Sequence, residues 1–274
     1  NHIFRYEPGE KKYDIAIHLE RFHPKTFTGA KNNVLIPNQE WFEPGWLPVL
    51  HGFDCIFTKT HFATKVFQDL GAKTEYISFT SEDRYMPELE KCDYHYLHIV
   101  GKSIQKQTDI VVQTWEKNPG FPPLTIIHDP KFYKPRTNAR NITYIYDRLP
   151  EPLLKAYQNV CAVHVCPSET EGFGHYIMEG MSCKSIVITT NAPPMTELVE
   201  TGMGHYVEPV ATEPMRLSIK FKISTDTLER SVVEAITLPE SVRREIGEKA
   251  RAKFLANDAF FRSRILEAVA ATIG

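Results

Sequence analysis

Short apolar runs alternate along this chain with segments whose apolar residues recur every three or four positions. Tyr13–Leu19, Asn33–Pro37 and Asp54–Thr58 carry the first pattern and predict strands. The third runs into a helix, with Thr60 as N-cap, Ala63, Val66, Phe67 and Leu70 as the apolar stripe, and Gly71 as the stop. Residues 79–93 then lose both periods, are charged and carry Pro87, so they predict an interdomain connection. A second alternating block follows. Strands are predicted at Tyr96–Val100, Leu124–His128, Ile142–Ile145, Ala162–Cys166, Ser185–Thr189 and His205–Val207. Helices are predicted at Thr108–Glu116, from near Pro150, at Tyr176–Cys183, at Glu240–Leu255, and in a last segment with Phe261, Ile265 and Val269. Strands alternating with helices predict an α/β protein with mostly parallel sheets. The expected division is a first domain over 1–82, a connection over 83–93, a second domain over 94–256 and a terminal helix over 257–274.

Composition narrows the classes. With 42% hydrophobic and 24% charged residues over 274 positions, the chain is an ordinary globular protein, not a disordered one. A formal net charge of -2 supplies no global field for nucleic acid. The five cysteines (Cys55, Cys92, Cys161, Cys166, Cys183) are odd in number and scattered through apolar runs, which fits small buried side chains in a reducing compartment. No apolar stretch approaches the roughly 20 residues of a membrane span. The eleven histidines form no HExxH or similar grouping, so no metal is expected. These features predict a cytoplasmic protein, peripheral to a membrane at most.

The chemistry concentrates between Cys166 and Met181. A buried strand ends at Cys166, a loop follows, and a helix starts after Glu171-Gly172-Phe173-Gly174. Ligands of parallel α/β sheets bind where strands end and helices begin, and a helix N-terminus favours phosphate. Gly172 and Gly174 allow the backbone to approach a phosphate closely. Glu171 and Glu179 flank that cradle, so they suit hydroxyls on either side of a diphosphate. As isolated features they would read as two exposed carboxylates.

Glu171 and Glu179, with seven residues between them, resemble the E-x7-E motif of retaining GT-B glycosyltransferases, family 4 or group 1. Cys166-Pro167-Ser168 resembles the strand-end Pro-Ser of that family. Ser185–Thr189 and the loop to Glu197 resemble its next strand and loop, with Ala192 and prolines in place of paired glycines. His98-Ile99-Val100-Gly101-Lys102 with Lys106 resembles its Gly-Arg…Lys diphosphate grip, with Lys102 for arginine and a spacing shorter by about one residue.

The resemblance implies a GT-B fold: two Rossmann-like domains facing a cleft, here with the first abbreviated or lacking its first strands. It implies a metal-independent, retaining transferase that takes a nucleoside diphosphate sugar, with no cofactor beyond that donor. Lys106 and Glu171 would be catalytic, with Gly101, Lys102, Gly172, Phe173, Gly174 and Glu179 binding the donor. Glu171 would hold the sugar, Glu179 the ribose, and Lys106 the departing diphosphate. His175 reads as a capping or buried residue or as a neighbour of the diphosphate. The acceptor (glycan, lipid-linked or small molecule) is unspecified. Asn38, Glu40, His18 and His61 are candidates to face it, and Lys59 reads as a surface lysine or a further candidate. Two rival classes stand beside the transferase: a nucleotide-sugar binding module without turnover, and a DNA-modifying glycosyltransferase, against which the charge counts.

Overall fold

The computed structural model describes residues 13–22, 27, 29–101, 103–135, 137–146 and 149–274. The chain divides into two compact units: residues 1–79, 214–218 and 257–274 form one, and 80–213 with 219–256 the other.

The first unit holds four parallel strands in sequential order: β1 (Tyr13–Leu19), β2 (Ala30–Ile36), β3 (Cys55–Thr58) and β4 (Thr74–Tyr76). Helix α1 (His61–Asp69) starts at Thr60, whose side chain accepts from the Ala63 amide at 3.1 Å. Strand alternation sorts the core into two layers. Leu35 and Ile56 face a layer with Phe42, Leu50, Phe53 and Phe67. Val34, Ile36, Cys55 and Phe57 face the other way, against Ile77, Phe261, Ile265, Ala268 and Val269. The last four belong to the terminal helix of the chain. Among the described residues, the strands of this sheet follow one another in chain order, with no point where that order reverses.

The second unit contains β5 (Cys92–Gly101), α2 (Thr108–Lys117), β6 (Leu124–His128), β7 (Ile142–Tyr146), α3 (Glu151–Val160), β8 (Cys161–Cys166), α4 (His175–Ser182), β9 (Ile186–Thr190), α5 (Met195–Leu198) and β10 (Gly204–Val207). Its six parallel strands lie in the order β10-β9-β8-β5-β6-β7. This is the doubly wound order, which reverses between β5 and β8. Then come β11 (Ala211–Met215) and β12 (Ser218–Lys222), a two-stranded sheet whose tip groups with the first unit, and α6 (Thr225–Thr237). The core joins Tyr96, Trp115, Ile126, Val165, Ile188, Leu228 and Val232.

Residues 80–91, within the stretch 79–93 read from sequence as an interdomain connection, form no helix or strand but are tied into the second unit. The Arg84 amide donates to Ser182 Oγ at 3.0 Å, and the Met86 amide to Asn159 Oδ1 at 2.8 Å. The two terminal helical segments are one 34-residue helix, α7 (Glu240–Ile273), whose first part belongs to the second unit and whose last part belongs to the first. No helix among the described residues is long and apolar enough to cross a membrane.

Candidate active site

The loops leaving β5 and β8 meet at the point where the strand order reverses. β5 ends at Gly101, whose φ of +60° lies in the left-handed region. A 3-10 turn, Ile104–Lys106, follows, with the Ser103 side chain accepting from the Gln105 amide. Gln107 then enters α2 and clamps the region. Its Nε2 donates to Pro167 O at 2.9 Å and to Phe221 O at 3.1 Å, and its Oε1 accepts from the Ile223 amide at 2.9 Å. The second loop is fastened to the first by the Glu169 amide, which donates to Gln105 O at 2.8 Å. Thr190 Oγ1 donates to Ser168 O at 2.7 Å.

These ties bring Lys106 and Glu171 together although 64 residues separate them in the chain. Lys106 Nζ lies 3.4 Å from Glu171 Oε1, with the side chains 12% and 18% exposed. Ser168 Oγ donates to the same Oε1 at 2.5 Å and lies 2.5 Å from Tyr176 Oη. The Lys106 ammonium sits over the Tyr176 ring, 2.8 Å from its centroid. Burial holds the Lys106 amine below the usual lysine range, opposed chiefly by the Glu171 carboxylate. Burial likewise drives the Tyr176 phenol well above its ordinary value, so it stays protonated.

Gly172, Phe173 and Gly174 are buried beside this pair. Gly174 has φ +104° and caps α4, whose first turn presents backbone N–H groups as any helix N-terminus does. Glu179, about one turn into α4, is 18% exposed; its Oε2 accepts from Gln158 Nε2 at 2.8 Å, and its Oε1 lies 3.6 Å from Arg84 Nη2. Arg84 also pairs with Glu151 and Glu82. His175 is exposed, with Nδ1 2.9 Å from Ser81 Oγ. Gly101 is exposed at the strand end. Lys102 lies outside the described residues.

In the first unit, Lys59 is buried (2% exposed), which corrects its reading as a surface lysine. It donates to Asn38 Oδ1 at 2.7 Å, lies 3.6 Å from Glu20 and stands over the Phe79 ring. His18 is a core residue, packed among Phe22, Phe27 and Phe53 with Nε2 3.3 Å from Asn33 Oδ1. His61 stacks on Tyr76, and Glu40 is buried. Among the described residues, no group of three or more His, Cys, Asp or Glu side chains is arranged to hold a metal.

Several neighbours of the site were not legible in the sequence. Glu169, buried, is paired with Lys222 and lies 3.4 Å from Lys220, both on β12. Gln158, Arg84 and Gln107 reach the site from distant segments and carry no motif. Ser168 lay inside the Pro-Ser signature, but Tyr176 was legible only as the first residue of a predicted helix.

A doubly wound sheet in one unit and a parallel α/β sheet in the other match the GT-B class of fold. Residues 133–253 match the family described as glycosyl transferases group 1, the group whose motifs this sequence resembles. An uncharacterized glycosyltransferase of Methanocaldococcus jannaschii is 27% identical over 165 residues, which are 58% of this chain and 43% of that protein's length. A glycosyltransferase from Rickettsia africae superposes with a TM-score of 0.69 at 15% identity, over 92% of this chain and 75% of the other. Anabaena HepE, in complex with UDP and glucose, gives 0.69 at 15% over 90% of this chain and 73% of its own. At that identity the two structures establish the fold.

Proposed function

We propose that this chain is a retaining glycosyltransferase that takes a sugar from a nucleoside diphosphate donor. The observation that carries the reading is the Lys106–Glu171 pair, 3.4 Å apart at the reversal point and beside the first turn of α4. With donor bound, Lys106 would turn to the diphosphate and, with the α4 N-terminus, stabilise the charge that grows as it leaves. Such a cationic grip does without a metal. Glu171 would accept hydrogen bonds from the sugar hydroxyls, and Glu179, steadied by Gln158, those of the ribose. The acceptor would attack from the face the diphosphate leaves, which retains configuration without an enzyme nucleophile. Four buried free cysteines support a reducing, cytoplasmic setting.

UDP and UDP-glucose are the first probes, since HepE was solved with UDP and glucose. Lys106→Ala is expected to weaken UDP binding about tenfold or more, as loss of a charge-assisted contact does. Glu171→Gln should keep UDP binding and lower turnover of a competent donor by about a hundredfold. Calorimetry and a donor-consumption assay across a panel of sugar nucleotides check both. Normal turnover in Glu171→Gln would sink the assignment.

A second reading is a donor-binding module without transfer. Tight nucleotide binding with neither hydrolysis nor transfer in the unaltered chain would support that reading over the first.

A further inference from the structure

Four side chains close a ring at the reversal point. Lys106 meets Glu171, Glu171 meets Ser168, Ser168 meets Tyr176, and the Tyr176 ring lies under Lys106. Lys106 and Glu171 already have roles in the reading above, whereas Ser168 and Tyr176 have none. A plain core role does not account for Tyr176. Phenylalanine would fill the same volume, while a buried hydroxyl must be desolvated and then matched.

The hydrogen-bond direction follows from counting protons. A serine hydroxyl has one hydrogen, and Ser168 uses it on the Glu171 carboxylate, which can only accept. The 2.5 Å contact to Tyr176 must therefore be donated by the phenol. The relay runs Tyr176 O–H to Ser168 O–H to Glu171, and its middle member is fixed in place. The Ser168 amide donates to Cys166 O at 2.9 Å, and its carbonyl accepts from Thr190 Oγ1. If Lys106 turned to a diphosphate, as the reading above has it, Glu171 would keep this donor. The same tyrosine offers its ring face to the ammonium, a favourable site for a partly desolvated cation.

We propose that Tyr176 and Ser168 are positioning residues of the donor site. The Tyr176 ring seats the Lys106 ammonium, and the Tyr176–Ser168 relay holds the Glu171 carboxylate ready for the sugar. This rests on the roles given above to Lys106 and Glu171.

The ring and the relay are separable by substitution. The charged and titratable groups facing Lys106 are Glu171 on its loop, Glu179 on α4, Cys166 on β8 and His98 on β5. Burial already lowers the Lys106 amine, and removing the ring face lowers it further, so the ammonium is lost at lower pH.

UDP affinity is therefore measured by calorimetry from about pH 6 to about pH 10, together with the affinity ratio of UDP-glucose to UDP. Tyr176→Leu is expected to weaken UDP binding about tenfold and move the alkaline limb about one pH unit lower. Tyr176→Phe keeps the limb and lowers the ratio by roughly threefold; Ser168→Ala lowers the ratio about tenfold at unchanged UDP affinity. An unmoved limb in a Tyr176→Leu protein with wild-type circular dichroism overturns the proposal. If that variant does not fold, wild-type ratios in both Tyr176→Phe and Ser168→Ala overturn it. Unchanged nucleoside diphosphate binding in Lys106→Ala, or no wild-type preference for any sugar nucleotide of the panel over its nucleoside diphosphate, overturns the underlying site reading, and the proposal with it.

Discussion

Gly174 shows why a short motif was informative. Its φ of +104° is one that side chains resist, and a Cβ there would stand 2.8 Å from Leu198 Cδ1 and 3.7 Å from Glu171 Cγ. Gly174→Ala is expected to cost about 1–3 kcal/mol and to displace the loop carrying Glu171. Urea unfolding and UDP calorimetry together check this, and a variant unchanged in both would contradict it. Glycine spacing announces such a backbone locally, so the Glu171-to-Glu179 segment could be read from the sequence. Ser168 and Tyr176 meet through a side-chain geometry that adjacency does not reveal. Buried histidines were equally silent. His98 Nδ1 lies 2.7 Å from Val165 O and its Nε2 2.9 Å from Thr108 Oγ1; His164 Nε2 lies 2.9 Å from Gln158 O. Burial pushes them down to about 4 and about 3. The unfolded chain therefore binds protons that the folded one refuses. Their contribution to stability is full above about pH 6.5 and is lost as pH drops toward those values, several kcal/mol in order of magnitude. Thermal midpoints at about pH 7.5 and about pH 5 should differ in that direction, and an equal pair would refute it.

At the scale of elements, the legible parts were those whose signals are local. β8 is six buried residues, Cys161–Cys166, and its apolar run was unmistakable. α1 was bracketed by Thr60 and Gly71, the latter at φ +77°. β11 and β12 were missed because most of their residues are half-buried or exposed. Their position is fixed by partners far away in sequence: Glu169 for Lys220 and Lys222, and Gln107 for Phe221 and Ile223. α6 was missed as well, although Ser224 and Thr227 form a reciprocal cap at its start. β4 has three half-buried residues and owes its pairing to Ile56, Phe57 and Thr58. Such elements are chosen by tertiary context and not by propensity.

For the whole molecule, the division into units cuts across the order of the chain. The candidate active site lies wholly in the second unit, whereas α7 serves both. Removing residues 257–274 is expected to uncover the face formed by Val34, Ile36, Cys55, Phe57 and Ile77. Dye binding to exposed apolar surface and proteolysis within residues 1–79 should rise, while UDP binding persists. Loss of UDP binding with an intact first unit would reverse this expectation.

The same helix bears on synthesis. The strands of the first unit are complete by Tyr76, but the helical cover of their inner face begins roughly 180 residues later, at Asn257. At about 5–20 residues per second, the ribosome leaves that apolar face uncovered for roughly 10 to 40 seconds, while the second unit is being made and folded. This sheet is thus made before the second unit but finishes folding after it, and during that interval it is a natural client for a chaperone.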